Sequence, residues 1–259
     1  LVGGSKHAAY VASLGMPAER VFTGYDVVDN AHFAAGTAEA RRNITRRSEM
    51  GLPSKYFMTS CRFEPVKNLP RLLQAYAHYR QLVQKPWALV LLGDGSLKTQ
   101  VQASVEQLGL RDSVLLPGFR QYGELPAYYG YASAFILAST SEPWGLVVNE
   151  AMAAGLPVLV SDRCGCAPEL VQEGGNGFTF DPYNVEALAQ LMVRISTMEE
   201  GQREIMGRRS IEIISNWGPE RFAKELREAI KTAINVPSPQ LSFVDRLLLR
   251  ALIYRPQEA

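Results

Sequence analysis

The amino-acid sequence predicts an α/β protein built on a parallel sheet of six strands with helices on both faces. Short apolar runs alternate with longer helical stretches along most of the chain, and this alternation is typical of parallel strands joined by right-handed helical crossovers. The strands are continuously apolar, which indicates a sheet covered on both sides. With 259 residues, of which 47% are hydrophobic, the chain is long enough to bury such a core.

Each predicted strand is a short apolar run, and most of them end in small or turn-forming residues. The strands are predicted at Tyr56–Ser60, Ala88–Leu92, Val114–Leu116, Ala134–Ala138, Pro157–Ser161 and Gly177–Phe180. The helical stretches between them are predicted at Leu69–Val83, Leu97–Leu108, Glu124–Tyr131, Leu146–Ala154 and Val185–Ile195. This order brings the carboxyl ends of the strands to one edge, where ligands bind in sheets of this kind.

Charge and cysteine content exclude several classes of function. The formal net charge of +1 gives no indication of nucleic-acid binding, and the one dense basic run, at 41–47, is predicted to be a solvated linker helix. Three cysteines, Cys61, Cys164 and Cys166, are too few for a disulfide framework, so we expect a reduced, cytoplasmic setting. No apolar run is long enough to span a bilayer, and the first residues are not a signal peptide. The lack of an initiator Met suggests that the sequence begins inside a longer protein.

The segment 141–161 carries the most informative pattern. Glu142 and Glu150 lie on either side of a predicted helix start, up to about 12 Å apart along the axis. Pro143 favours a helical entry, and Gly145 leaves backbone N–H groups open to a ligand. These amides and the positive end of the helix dipole favour a diphosphate, with the carboxylates holding hydroxyls on either side. Taken from spacing alone, an ordinary helix terminus and a solvated glutamate are an equal alternative.

Two cations follow the first predicted strand. Arg62 and Lys67 precede a helix, at the edge shared with the turns 93–95 and 117–120. A departing nucleoside diphosphate gains negative charge, which a divalent metal or fixed cations must offset. The sequence has no Asp-x-Asp pair to hold a metal, so a guanidinium and an ammonium are expected to take that role. Considered singly, both residues would be surface charges ahead of a helix.

In combination, these motifs resemble the C-terminal, donor-binding half of a retaining glycosyltransferase of family 4 (glycosyl transferases group 1) with the GT-B fold. The resemblance covers roughly Tyr56 to Phe222, and its motifs occur in the family's order. They are Arg62 to Lys67-Asn68, Gly93-Asp94-Gly95, Pro117-Gly118-Phe119, Glu142 to Glu150, and Gly165-Cys166-Ala167-Pro168-Glu169. The resemblance implies a Rossmann-like sheet domain, one half of the GT-B fold.

The resemblance also implies roles for the matching residues. Arg62 and Lys67 would contact the diphosphate and stabilise the leaving group, and Glu142 would bind hydroxyls of the donor sugar, which makes these three the predicted catalytic residues. Glu150 would bind the ribose, the amides at 144–146 would reach the sugar and distal phosphate, and the 119–120 turn would lie against the base. The predicted donor-binding residues are Gly93, Gly118, Phe119, Arg120, Trp144, Gly145, Leu146 and Glu150. No metal and no cofactor is expected, and the Gly165-Cys166 pair departs from the family's double glycine.

A domain organisation follows from the same resemblance. Residues 1–33 would be the remnant of an N-terminal acceptor domain and its linker, with a helix at Lys6–Leu14 and a short strand at 21–23. We expect them to have little to pack against and to be mobile. Residues 34–235 would form the donor domain and 236–259 a helical tail. Within the tail, 241–254 is amphipathic and is predicted to be a packed helix, with contact to a membrane surface as the alternative.

The histidines are not assigned a catalytic role. None of His7, His32 and His78 lies in a motif that matches the family. His7 and His32 are expected at exposed positions, and His78 within a helix.

The predicted activity is metal-independent transfer of a hexose-type sugar from a nucleotide-activated donor to an acceptor hydroxyl, with retention at the anomeric carbon. The chain would supply the donor half and would be inactive by itself. Two alternatives stay open, a GT-B sugar-nucleotide epimerase that needs no acceptor and a non-catalytic nucleotide-binding module. The base, the sugar and the acceptor are not determined by the sequence.

Overall fold

The computed structural model of the chain describes residues 1–236 and 242–253. Within these ranges six parallel strands form one sheet in the order β3-β2-β1-β4-β5-β6. The strands are β1 Tyr56–Ser60, β2 Ala88–Leu92, β3 Val114–Gly118, β4 Ala134–Leu137, β5 Val158–Ser161 and β6 Gly177–Phe180. All six predicted strands are confirmed, with differences of one or two residues at the ends of β3, β4 and β5.

The described residues also form helices. They are α1 Ser5–Ser13, α2 Asn30–Arg42, α3 Ile44–Glu49, α4 Leu69–Leu82, α5 Lys98–Gln107, α6 Leu125–Tyr131, α7 Leu146–Ala153, α8 Ala167–Leu170, α9 Val185–Thr197, α10 Glu200–Ile214, α11 Pro219–Asn235 and α12 Phe243–Ile253. The five helices predicted between strands are present, and each differs from its predicted bounds by no more than two residues at an end. Helices α2, α3, α8, α10 and α11 were not predicted as such.

Successive strand residues point to opposite faces of the sheet, so each strand contributes to two cores. Met58 and Phe135 lie in the core covered by α2, α6 and α7. Phe57 and Ile136 lie in the core covered by α4, α5 and α9. All four side chains are fully buried, and burial of each stabilises the fold by about 1.5–3 kcal/mol. Burial on both faces explains why the strand sequences are apolar throughout rather than alternating.

The basic run at 41–47 differs from the single solvated helix that was predicted. It is divided between α2 and α3, and the side chain of Asn43 caps the start of α3. The guanidinium of Arg41 donates to the carbonyl oxygens of Gly130 at 3.1 Å and Ala154 at 2.9 Å. Both carbonyls lie at helix C-termini, where backbone acceptors have no partner within the helix. Arg41 therefore ties α2 to the ends of α6 and α7.

The N-terminal residues pack against the sheet domain, contrary to the expectation that they have little to contact. The ammonium of Lys6 donates to the carbonyl oxygens of Asp162 at 2.7 Å and Cys164 at 3.1 Å. The amide of Ser5, at the start of α1, donates to Glu169 Oε1 at 2.6 Å. A carboxylate at a helix N-terminus offsets the positive end of the helix dipole. Their mobility stays a prediction.

The remaining N-terminal predictions are met in part. A helix is present at Ser5–Ser13, but at 21–23 there is only an isolated parallel bridge between Thr23 and Val2. Helix α2 begins at Asn30, so the predicted domain boundary between residues 33 and 34 falls inside this helix. Phe33 is fully buried in the core beneath α2.

The C-terminal helix α12 is present, as predicted, while residues 241 and 254 lie outside the described ranges. It is not packed: its side chains are exposed from Ser242 to Ala251, including Phe243 at 80%. No described element covers its apolar face. Across residues 1–236 and 242–253, we find no helix whose length and apolar character would let it cross a bilayer.

Candidate functional site

The candidate site lies where the strand order reverses, between β1 and β4. In parallel α/β sheets, ligands bind outside the carboxyl ends of the strands at such a point. The two loops that leave these strands are bonded to each other. The amide of Thr140 donates a hydrogen bond to the carbonyl oxygen of Val66 at 2.8 Å. The side-chain amide of Asn68 donates to the carbonyl oxygen of Ala138 at 3.1 Å. Asn68 is buried, with a left-handed φ of 58° at the start of α4, so the two loops are held in a defined register.

Lys67 and Glu142, which lie on these two loops, form an ion pair. Their side chains are only 17% and 13% exposed, and an ion pair shielded from water interacts more strongly than one on an open surface. The same carboxylate oxygen accepts from Ser139 Oγ at 3.3 Å. An ammonium has three donors and a carboxylate has two acceptor oxygens. Each group therefore keeps capacity for a ligand while the other orients it.

Arg62 lies at the same strand end but is less constrained. Its side chain is exposed, and among the described residues it makes no ion pair or hydrogen bond. The structure thus places Arg62 one loop residue beyond Cys61 without bringing its guanidinium into contact with Lys67 or Glu142.

The loop before α7 presents free backbone donors. Gly145 caps α7 with φ 103° and ψ 62°, a left-handed conformation that favours glycine. Within the described ranges the amides of Gly145, Leu146 and Val147 donate no hydrogen bond, as expected for a helix N-terminus awaiting an acceptor. The helix begins at Leu146. Pro143 therefore lies outside it, and the predicted helical entry at this residue is wrong.

The loop 164–166 supports the one before α7. The amide of Gly165 donates to the carbonyl oxygen of Glu142 at 2.9 Å, and the amide of Cys166 donates to that of Trp144 at 3.2 Å. A Cβ atom at Gly165 would lie 1.8 Å from the carbonyl oxygen of Pro143, so only glycine fits. The Cys166 side chain is fully buried instead. The departure from a double glycine is thus accommodated by packing beneath the loop.

Glu150 lies on the second turn of α7, where its side chain contacts Tyr129 of α6. Its carboxylate accepts a hydrogen bond from Tyr129 OH at 2.7 Å. Burial raises the pKa of Glu150 above its usual value, and the hydrogen bond from Tyr129 and the nearby His32 only partly oppose this. Glu150 is therefore a desolvated acceptor for which a ligand hydroxyl is a suitable partner.

Gly93 and Gly118, two of the predicted site residues, are required to be glycine for different structural reasons. Gly93 has φ 138°, and a Cβ atom there would lie 1.9 Å from the carbonyl oxygen of Cys61, so it permits the close approach of the loops after β1 and β2. Gly118 has φ 84° with open space around it, so its requirement is conformational. Gly118 belongs to β3 rather than to the turn that was predicted.

The predicted base-binding turn has one free and one tethered side chain. Phe119 is 65% exposed, which leaves an aromatic face for stacking. Arg120 Nε donates to Tyr128 OH at 2.7 Å. The tethered guanidinium fixes the turn, and the exposed ring is the side chain able to meet a base.

The side chain of Trp144 is not available to a ligand at the candidate site, which leaves only its backbone groups. Its side chain is buried, and its Nε1 donates to Asn149 Oδ1 at 2.9 Å. The Asn149 side-chain amide in turn donates to the carbonyl oxygen of Asp26 at 3.2 Å. Sequence reasoning missed Tyr129, Ser139 and Asn149 because each acts through a partner distant in sequence or through loop geometry, and no motif spacing marks them.

The histidines lie in more enclosed positions than predicted. His7 and His32 are half-buried rather than exposed. The ring of His32 stacks on Tyr122, with centroids 4.3 Å apart. His78 lies in α4, as predicted, and contacts Glu186 at 2.8 Å. The difference arises because α1 and α2 pack on the sheet domain.

The environment of Cys61 and Cys164 favours the protonated thiol. Burial raises the pKa of the Cys61 and Cys164 thiols to about 12, so both stay protonated and neither is a nucleophile at neutral pH. Beside the larger effect of burial, Glu142 raises and Lys67 lowers the pKa of both thiols.

The fold is that of one half of a GT-B glycosyltransferase, as solved structures show. Sucrose-phosphate synthase from Thermosynechococcus elongatus superposes with a TM-score of 0.74 at 21% identity, over 90% of this chain and 57% of that one. Anabaena HepE in complex with UDP superposes with a TM-score of 0.72 at 21% identity, over 89% of this chain and 63% of that one. At such identities the likeness establishes the fold alone.

The chain belongs to the family described as glycosyl transferases group 1, whose model matches residues 41–212. Among curated proteins, it is similar to spore coat protein SA of Bacillus subtilis, with 31% identity over 80% of this chain and 56% of that protein. The chain spans less than two thirds of the length of each of these relatives. The range matched by the family model contains all of the predicted site residues, from Arg62 to Glu150.

Proposed function

We propose that the chain is the donor-binding half of a family 4 glycosyltransferase. It would bind a nucleoside-diphosphate sugar, from which a hexose-type sugar passes to an acceptor hydroxyl with retention and without a metal. The observation that carries this proposal is the shielded Lys67–Glu142 pair beside the free amides of Gly145 and Leu146, at the β1–β4 reversal. Cationic and backbone donors there suit a diphosphate, and the carboxylate beside them suits sugar hydroxyls.

The diphosphate would lie between the loop after β1 and the start of α7. Lys67 would donate to it with the N–H groups that Glu142 does not use, and the exposed guanidinium of Arg62 would reach it from the same strand end. The amides of Gly145 and Leu146 add the positive end of the α7 dipole. These groups would take up the charge of the leaving diphosphate.

The sugar and the nucleoside would occupy opposite ends of this site. Glu142 would accept hydrogen bonds from sugar hydroxyls, and Glu150 would accept one from the ribose, because both carboxylates are held by neighbours and have limited access to water. Phe119 would stack on the base, which is compatible with several bases because stacking does not read their edges. The proposed site therefore leaves base identity open.

In the proposed reaction, the acceptor oxygen forms a bond to the anomeric carbon on the face from which the diphosphate departs. The bond between that carbon and the phosphate oxygen breaks, and its electron pair stays on the phosphate. The acceptor proton passes to a phosphate oxygen of the leaving group. Lys67, Arg62 and the α7 amides lower the barrier by holding charge that develops there. The acceptor would bind to a part of the protein beyond this chain.

Calorimetric titration of the chain with UDP, GDP and ADP tests the proposal. We expect saturable binding of at least one of them and weaker binding in Lys67→Met. If none binds, the proposal is wrong. The products formed by a form of the protein that also contains the acceptor-binding half, with and without acceptor, then separate transfer from the alternatives. Transfer requires the acceptor, an epimerase converts donor without it, and a binding module yields no product.

A reduced, cytoplasmic setting is part of the same proposal. The three cysteines form no disulfide in the described structure, and the proposed sugar-nucleotide substrate would be a cytoplasmic one. Peripheral membrane contact through α12 stays a prediction. It is supported by the exposed apolar residues Phe243, Val244 and Leu247 beside Arg246 and Arg250.

A further inference from the structure

A cavity lies at the edge of the sheet opposite the candidate donor site. It has a volume of about 510 Å³ and is bordered by residues that precede β1, β4 and β5, together with α2, α3 and α10. This volume is within the range of small-molecule sites. The residues at 54–55, 132–133 and 156–157 show that it opens at the amino ends of the strands, so it is not part of the donor site.

The cavity is rich in positive charge. Its lining includes five cations, Arg41, Arg47, Lys55, Arg203 and Arg208, and two carboxylates, Glu200 and Glu204. Each carboxylate is already engaged. Lys55 contacts Glu200 at 2.7 Å, and Arg208 contacts Glu204 at 4.0 Å. Three arginines therefore have no carboxylate partner among the described residues.

These three arginines differ in what else they contact. Arg41 is tied to helix-end carbonyls, as described above, and is a structural residue. Arg203 donates to the carbonyl oxygen of Met198 and lies 5.1 Å above the Trp87 ring, so its planar group is held in place. The side chain of Arg47 makes no hydrogen bond within the described chain, and its Nε is a buried donor with no acceptor. A buried donor without a partner costs free energy unless something supplies an acceptor.

The cavity wall is rigid on one side and apolar on another. A Cβ atom at Gly207 would lie 2.2 Å from the carbonyl oxygen of Gly155, so α10 packs directly on the backbone that follows α7. Ile44, Leu156 and Ile211 add apolar surface to the lining. A ligand with an anionic group and a small apolar body would match both parts.

We propose that this cavity is a second ligand site, which binds the phosphoryl group of a small phosphomonoester through Arg47 and Arg203. Guanidinium groups pair with phosphate oxygens by two parallel hydrogen bonds, and arginine is the residue suited to this geometry. The apolar wall accepts the organic part of the ligand. The site is independent of the proposed glycosyl transfer, because neither its residues nor its edge of the sheet belongs to the donor site.

The test follows backbone amide signals of the chain by NMR during titration with inorganic phosphate and with phenyl phosphate, at constant ionic strength set with chloride. Gly130, Gly155 and Gly207 report on the cavity, and Gly145 reports on the donor site. We expect saturable shifts at the three cavity glycines, with tighter binding of phenyl phosphate because its ring meets the apolar wall. Shifts confined to Gly145, or shifts that do not saturate, overturn the proposal.

Variants assign the binding to the two arginines. Arg47→Met with Arg203→Met keeps the aliphatic stems and should weaken binding of both probes by about tenfold or more. Arg42→Met is the matched control, because Arg42 is on the same basic run but does not line the cavity. If the double variant does not fold, Arg47→Met alone is compared with Arg42→Met. Equal affinities in the arginine variant and the control overturn the assignment, and equal affinities for the two probes overturn a phosphomonoester as the ligand.

Discussion

Replacing Lys67 by methionine is the most direct test of the candidate site, because it removes the ammonium and keeps an unbranched side chain up to the ε position. Glu142, only 13% exposed, would keep Ser139 but lose its cation. Removing one partner of a fully buried ion pair destabilises the folded state by about 3–5 kcal/mol, whereas an ion pair on the surface contributes only about 0–1 kcal/mol to stability. With exposures of 17% and 13%, we expect a loss of about 2–3 kcal/mol in the free energy of unfolding.

The same substitution should weaken ligand binding. A hydrogen bond to a charged group contributes about 1.5–3 kcal/mol, which corresponds to about a 10- to 100-fold rise in Kd. Calorimetry with whichever of UDP, GDP and ADP binds most tightly measures this change. In a form of the protein that carries out the proposed transfer, kcat/KM should fall by at least as much, since the charge on the leaving group exceeds that in the ground state.

Two further variants separate stability from binding. Lys231→Met removes a cation from an exposed pair with Glu228 on α11 and should change neither quantity by more than about 1 kcal/mol. Adding Glu142→Gln to Lys67→Met removes the unpaired charge, so the stability should recover in part while the affinity stays low. An unchanged Kd in Lys67→Met would refute the assignment of Lys67 to the diphosphate. A loss of affinity that recovers along with stability would show an indirect effect.

Three other changes test the supporting geometry. Burial raises the pKa of Glu150 from its usual 4.5, so the folded state retains this proton to higher pH than the unfolded chain, and stability should fall as pH rises from 4.5 through the raised pKa. Glu150→Gln should flatten the pH dependence of Tm and raise Tm near neutral pH, while it weakens nucleoside-diphosphate binding. A pH profile of Tm that the substitution leaves unchanged would contradict the raised pKa. Gly145→Ala places a Cβ atom on a backbone with φ 103°, 2.8 Å from Leu137. It should therefore destabilise the chain by more than Gly109→Ala, where nothing lies within 4 Å and only the left-handed strain of about 1–2 kcal/mol applies. Denaturant unfolding compares the two variants, and equal losses of stability would rule out the steric contribution at Gly145. Glu169→Gln removes the charge at the start of α1 and should speed hydrogen exchange of the Ser5 amide; equal rates in both proteins would argue against this contact.

The sequence predicted the sheet with little error because each strand is a continuous apolar run and each crossover has its own helical pattern. The ends were less well determined. β3 continues through Pro117 and Gly118, although these residues favour a turn, because pairing with β2 extends the strand. The missed helix α10 has few buried residues, and its apolar pattern is weak. Helix α11 has no buried residue, but its sequence is strongly amphipathic, so its pattern was available in the sequence and was overlooked.

For the candidate site, the sequence located the loops but not the contacts within them. Lys67 and Glu142 were predicted separately as a diphosphate ligand and a sugar ligand. Their pairing depends on the approach of two loops distant in the chain, which the bonds from Asn68 and Thr140 establish. Tyr129, the partner of Glu150, carries no motif, and Arg62 remains a prediction from the resemblance because its side chain contacts neither acid.

By itself, the sequence determined the fold class, the family motifs and the strand ends at which the candidate site residues lie, because apolar periodicity and turn residues act over a few neighbouring positions. The tertiary structure decided which of those residues meet, which are shielded from water and which glycines are required, since distances between loops and the loss of solvent arise only when the sheet is assembled. It also decided that the N-terminal residues pack on the sheet domain and that a basic cavity forms at the opposite edge. Neither feature has a local sequence pattern, because each is made by residues that are far apart in the chain.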